Sequence, residues 1–182
     1  MDNSLIKMMN VYIPQIDIWI GEILKKYHNQ KISVLDFNFP RLPLFYSKQL
    51  LKSTNVIILN EDLPLPPLLH ELSGFAEFFT GYIAGITYKD TYFIRTDFSS
   101  DESLHFHELI HVLQWDILGV EKNLTYYAMG LLEKGYRGSF LEDMAFRHQS
   151  RFDQNDDPYN VEDEVINEIN HYIEKLQSPN DE

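Results

Sequence analysis

Cysteine is absent from all 182 residues. That excludes disulfides, thiolate metal sites and a cysteine nucleophile, and leaves any transition metal to His, Asp and Glu. Long apolar runs are missing as well. The longest pieces are broken by Pro14, Asp17, Glu22 and Pro40, short of the roughly 18 residues that a membrane span requires. The start, Met1-Asp2-Asn3-Ser4, lacks the basic stretch of an export signal. The expectation is a soluble, cytoplasmic chain with no membrane partner. Basic residues are scarce too: 15 Lys and Arg stand against 28 Asp and Glu, a net charge of −13. Phosphate binding needs cations, so a nucleic-acid partner is not expected. Residues 153–182 hold ten acids and one base, Lys175, and so carry nine of those 13 charges. They read as a solvated helix face rather than a docking patch. No internal repeat or low-complexity linker marks a boundary, which suits one domain over residues 1–182.

What the chain does have is enough apolar content for a core, 44% hydrophobic and 14% aromatic. The first 28 residues look helical: after Pro14, which can open a helix, Ile16, Trp19, Ile20, Ile23, Leu24 and Tyr27 recur at helical spacing and predict one packed stripe. Ile32 to Phe37 reads as a strand, Tyr46 to Lys52 as a turn or two of helix, and Val56 to Leu59 as a buried strand. Leu63-Pro64-Leu65-Pro66-Pro67 must be a non-helical connection. Tyr82 to Tyr88 and Thr91 to Arg95 predict two strands around a turn at Lys89-Asp90, with Gly85 allowing a bulge or a close backbone approach. The pattern then turns helical. Ser99 and Glu102 form a possible capping box, and the helix runs to Leu118 before Gly119. Further helices follow at Leu124 to Glu133, ending at Gly135, then Phe140 to Phe152 and Glu162 to Leu176. The fold class expected is α+β, a small antiparallel sheet packed on the helix of residues 102–118, with other helices before and after.

That helix carries His107-Glu108-Leu109-Ile110-His111. Histidines four apart share one helix face and can grip one metal ion, while Glu108 lies off that face, near enough to act on a metal-bound water without binding the ion. Apolar Leu104, Leu109, Ile110, Val112 and Leu113 flank the motif, so the helix is expected to be buried. Two imidazoles and a carboxylate are costly in a core unless something pairs with them. A third ligand is needed for a site that keeps one position open. Position 114 is Gln and position 117 is Ile, so the third-histidine extension is absent. Glu142, one turn into its helix beside Leu141 and Ala145, leads the candidates, with Glu133, Asp143 and Glu121 as alternatives. His105 points away from the His107–His111 face.

The run His107 to Trp115, then Leu118-Gly119, Tyr126-Tyr127, Gly135-Tyr136-Arg137 and Leu141-Glu142-Asp143-Met144-Ala145, resembles the small bacterial gluzincin-type metallopeptidases, the bare core of thermolysin-like enzymes. The resemblance covers about residues 56 to 146, and Phe140 departs from the proline usual in that family. It implies a zincin core, placed at 56–152; the residue pattern on either side adds an N-terminal helical support region in 1–55 and an acidic C-terminal helix in 153–182. It implies Zn2+ on His107, His111 and Glu142, Glu142 matching the family's third ligand. It also implies an edge strand that pairs with an extended peptide, here Ile83 to Tyr88, through Ile83, Gly85 and Thr87, or its partner Tyr92 to Arg95.

The expected activity is hydrolysis of a peptide or protein substrate, the metal-bound water giving its proton to Glu108. Tyr136, Tyr127 and His148 are the candidates for stabilising the oxyanion. The alternative is a zinc-binding regulator or scaffold that keeps the fold without cutting.

Overall fold

The computed structural model describes residues 3–66, 83–155 and 157–178, with side chains from Val11 onward. The first helix, α1 (Asn3–Lys26), falls within the helical region expected over the first 28 residues and carries Pro14 inside it. Proline removes one helical hydrogen bond there. The stripe of Ile13, Ile16 and Ile20, each 8% exposed or less, anchors the helix on both sides of it. Ile32 to Phe37 is a strand only at its start: β1 (Ile32–Ser33) gives way to a 3-10 turn over Val34–Phe37. Two short helices, α2 (Leu42–Phe45) and α3 (Lys48–Ser53), lead into β2 (Asn55–Leu59). The proline segment is irregular through Pro66, and Pro67 and Tyr82 lie outside the described residues.

The strands β3 (Gly85–Tyr88) and β4 (Thr91–Arg95) form the predicted hairpin about Lys89-Asp90. The sheet order is β1-β2-β4-β3, and β2 runs parallel to β4 with Val56 opposite Tyr92. The sheet is therefore mixed, correcting the antiparallel expectation, because the chain crosses over between β2 and the hairpin. Tyr92, Ile94 and Val56 pack on the face that meets the motif-bearing helix, and Phe93, Ile57 and Leu59 pack with Ile16 and Ile20 of α1.

Next comes α4 (Glu102–Gly138), continuous in hydrogen bonding but broken twice, at Gly119 (φ 68°, ψ 176°) and Gly135 (φ 70°, ψ −179°). Both are the glycines at which the sequence predicts helix ends. The N-cap is Asp101, whose side chain accepts from Ser103 N and Leu104 N. Glu102, assigned to a box with Ser99, instead accepts from Arg41 N and Leu42 N at 2.7 and 2.8 Å, so it ties α4 to α2. An extended backbone with positive φ is open essentially to glycine alone. A Cβ at Gly119 would meet nothing within 4 Å, so the cost of Gly119→Ala is backbone strain alone, about 1–3 kcal/mol. A thermal melt of that variant is expected to fall by about 2–4 °C per kcal/mol, and an unchanged midpoint would disprove the strain.

Two helices complete the chain, α5 (Phe140–Asp153) and α6 (Val161–Gln177). Val161, Val165 and Ile169 of α6 enter the same core as Phe106, Leu109 and Ile110 of α4. Part of its acidic face is used within the molecule: Arg147 reaches Glu168 at 2.6 Å and Arg151 reaches Glu164 at 2.5 Å. Glu162 accepts from Ser47 N. No helix among the described residues is long and apolar enough to cross a membrane.

Candidate functional site

His107 and His111 lie one turn apart on the first piece of α4, with their Nε2 atoms 3.0 Å from each other. The break at Gly135 and the turn through Ser139 fold α5 back along α4, bringing in Glu142. Its Oε2 is 3.7 Å from both Nε2 atoms. His107 and Glu142 are buried, and the His111 side chain is 12% exposed. These three are one of two groups among the described residues whose donor atoms could hold one ion.

The outer partners set the tautomers. Gln114 Nε2 donates to Leu141 O at 2.8 Å, which turns Gln114 Oε1 towards His111 Nδ1, also at 2.8 Å. Gln149 Nε2 donates to Ser103 Oγ at 2.9 Å, which turns its Oε1 towards His107 Nδ1 at 3.0 Å. An amide oxygen only accepts, so both Nδ1 atoms carry hydrogen and both neutral rings present bare Nε2 lone pairs to each other. Glu142 Oε2, pointing at the same spot, is buried without a hydrogen-bond partner. Three converging acceptors repel unless a cation or a proton lies among them. The donor set therefore fits a metal ion.

Without a metal, a proton takes that place. Burial would lower the His111 imidazole, but the Glu142 carboxylate outweighs it and holds His111 up to about 9. Burial pushes the Glu142 carboxyl up, and the two imidazoles overcome that and keep it well below the usual carboxylate range. A raised imidazole stabilises the fold fully below its unfolded value of 6.5 and loses that contribution as pH rises through about 9. Chelator-treated protein is expected to lose on the order of 2–3 kcal/mol between those limits. Urea unfolding would measure it, with His111→Gln flattening the dependence; an equal loss in that variant would place the titration elsewhere.

Glu108 is held apart from the cluster. Its Oε2 accepts from Thr87 Oγ1 at 2.6 Å, and a Cβ at Gly85 would collide with its carboxylate. The close backbone approach expected at Gly85 is thus real, and the residue it admits is Glu108. Burial raises the Glu108 carboxyl, and His111 and His107 offset this in part. The buried Thr87 side chain is committed to Glu108, and Thr87 also lines the cleft. Arg95 N donates to Ala84 O and Ile86 pairs with Phe93, so Gly85 and Thr87 turn their backbone groups to the outer edge of β3. Trp115 Nε1 takes one of them, Thr87 O, at 3.1 Å. Because β4 is paired on both sides, Tyr92 to Arg95 cannot accept a further strand.

Compared with known proteins, the chain matches no family model, no curated protein and no solved structure.

The remaining expected residues divide cleanly. Tyr127 donates to Glu142 Oε1 at 2.8 Å and holds the carboxylate from behind. Tyr136 lines the same cleft, 38% exposed. Burial and the two nearby carboxylates push both phenols up, so they stay protonated and able to donate. Ile83, just ahead of β3, also lines the cleft. His148 does not reach it. The ring is buried, with Nδ1 on Tyr159 at 2.8 Å and Nε2 on Glu168 at 3.0 Å, and it fastens α5 to α6. His105, as expected, lies elsewhere, between Tyr92 and Ser99. Glu121, Glu133 and Asp143 are exposed, Asp143 pairing with Arg147. Sequence reasoning missed Gln114 and Gln149. Gln114 had a signal, three residues beyond His111 on a buried helix, whereas Gln149 is 42 residues from the ring it orients.

Proposed function

We propose that this chain is a zinc-dependent peptidase of gluzincin type, acting on a peptide or protein met in the cytoplasm. What carries the reading is the meeting of two bare imidazole nitrogens with an unpartnered buried carboxylate oxygen, beside a second carboxylate kept out of the cluster. Two nitrogens and one oxygen suit zinc, and three protein ligands leave one position open. A zinc ion held by His107, His111 and Glu142 supplies a Lewis acid for a carbonyl and an acidified water. Glu108, in its dry setting, receives a proton on the oxygen that Thr87 does not take and returns it to the leaving nitrogen. Tyr127 keeps Glu142 aimed, and Tyr136, on the open wall, donates towards the developing oxyanion. The outer edge of β3 takes the substrate as an added strand, with Gly85 offering both its backbone groups.

The test pairs metal analysis with digestion of a broad peptide library. One zinc per chain with cleavage supports the reading. Full zinc without any cleavage favours a zinc-binding regulator or scaffold, and failure to take up zinc in excess would end both.

A further inference from the structure

Five arginines stand in the sequence, at 41, 95, 137, 147 and 151. Four of them donate to an oxygen of the protein: Arg41 to Phe152 O, Arg95 to Asp62, Arg147 to Asp143 and Glu168, and Arg151 to Glu164. Arg137 has no such acceptor among the described residues. A carboxylate is even offered nearby. Glu133 lies four residues earlier, the favourable order for an ion pair along a helix. The break at Gly135 falls between the two and removes the spacing on which that pair depends. Arg137 lies instead over the ring of Phe146, 4.6 Å from its centre. The negative end of α4 draws a cation to this turn, but it leaves the donors of the guanidinium unused.

Phe146 touches the centre on two sides. Its ring is 4.8 Å from that of His107 and 6.1 Å from that of Tyr136. Tyr136 in turn lines the cleft with Glu142. The guanidinium is thus one ring away from a metal-ligating imidazole and one ring away from the cleft wall. Its charge pulls the Tyr136 phenol back against the rise that burial and the carboxylates impose. An arginine held against an aromatic ring keeps its planar fork of donors for a partner from outside. The planar anion that matches the fork is a carboxylate, taken by two parallel hydrogen bonds.

We infer that Arg137 is a specificity-determining residue, binding a carboxylate of the substrate at the Phe146 and Tyr136 side of the cleft. The inference rests on the peptidase reading. It narrows the substrate to peptides with an acidic side chain, or a free C-terminus, close to the bond that is cut.

The experiment is equilibrium binding to zinc-loaded Glu108→Gln protein. The probes are acetylated, amidated pentapeptides with Glu or Gln at each position in turn, and the same peptides with a free C-terminal acid. One position, or the free C-terminus, is expected to favour the acid over the amide about five- to tenfold, as a charge-assisted hydrogen bond at an open site does. Which of the two it is separates an acidic side chain from a chain end. Arg137→Gln brings acid and amide to equal affinity. Arg137→Lys, a point charge without the fork, keeps part of the preference, and Arg137→Glu makes the acid the weaker binder. Arg137 is exposed, so these variants are expected to melt with the parent protein. Equal binding of acid and amide in every probe, a preference that survives Arg137→Gln, or no binding overturns the inference. Acid-selective binding without cleavage by the wild-type protein removes the peptidase reading and leaves a carboxylate site. Cleavage of neutral and acidic peptides alike does the reverse.

Discussion

Glu108→Gln is expected to keep one zinc per chain while lowering kcat/KM on any cleaved peptide by about 100- to 10,000-fold. The substitution is close to isosteric, and the amide oxygen can still accept from Thr87 Oγ1, whose bond to Oε2 is 2.6 Å long. Packing around Gly85, where there is no room for a Cβ, is preserved. What disappears is a carboxylate whose proton affinity burial has raised. A base with a higher pKa takes a proton more readily near neutrality, so its loss falls on the chemical step rather than on binding. KM is therefore expected to move little. Retained activity would show that the proton goes elsewhere and would end the role assigned to Glu108. A fall in zinc content alongside activity would instead make Glu108 part of the metal's support.

Glu142→Ala is expected to weaken zinc binding by more than about 100-fold, beyond the loss usual for an outer partner. Glu133→Ala is expected to change nothing. Competition against a chromophoric chelator measures both. Glu142 sits where two Nε2 atoms are each 3.7 Å away, and Glu133 is exposed. The same substitution leaves Tyr127 OH without its acceptor and two buried imidazoles without their counter-charge. Breaking a buried pair from one side costs about 3–5 kcal/mol, so the metal-free variant should also melt lower. Zinc binding intact in Glu142→Ala but lost in Glu133→Ala would reverse the ligand assignment.

The parts of this molecule that were legible in the sequence depend on local geometry. Histidines four apart meet because helical rise and period bring them together, whatever the rest of the chain does. Gly119 and Gly135 break α4 because their conformation belongs to glycine. Glu142 could be ranked ahead of Glu133 because Leu141 and Ala145 point to a buried face, and all three are buried. Where tertiary contacts decide, the sequence misled. Ser99 reads as the cap, yet Asp101 holds the amides and Glu102 is drawn to α2. His148 looks like a free imidazole near the motif until α6 supplies Tyr159 and Glu168. Its partners lie 11 and 20 residues away, and no periodicity announces them. The parallel pairing of β2 with β4 is equally hidden, because it depends on the path of the connection between them rather than on the pattern within either strand.

The order β1-β2-β4-β3 puts a two-residue strand at one margin of the sheet and a four-residue strand at the other. Long bare margins invite neighbouring molecules to zip on and build fibres. Here the first margin is too brief to template such growth. The second is shortened by the indole that caps Thr87 O, and its residues Gly85 to Tyr88 line the cleft. On the peptidase reading proposed above, the length of sheet able to recruit another chain coincides with the length that would present one to Glu108, so colloidal safety and access to the centre would come from the same few residues.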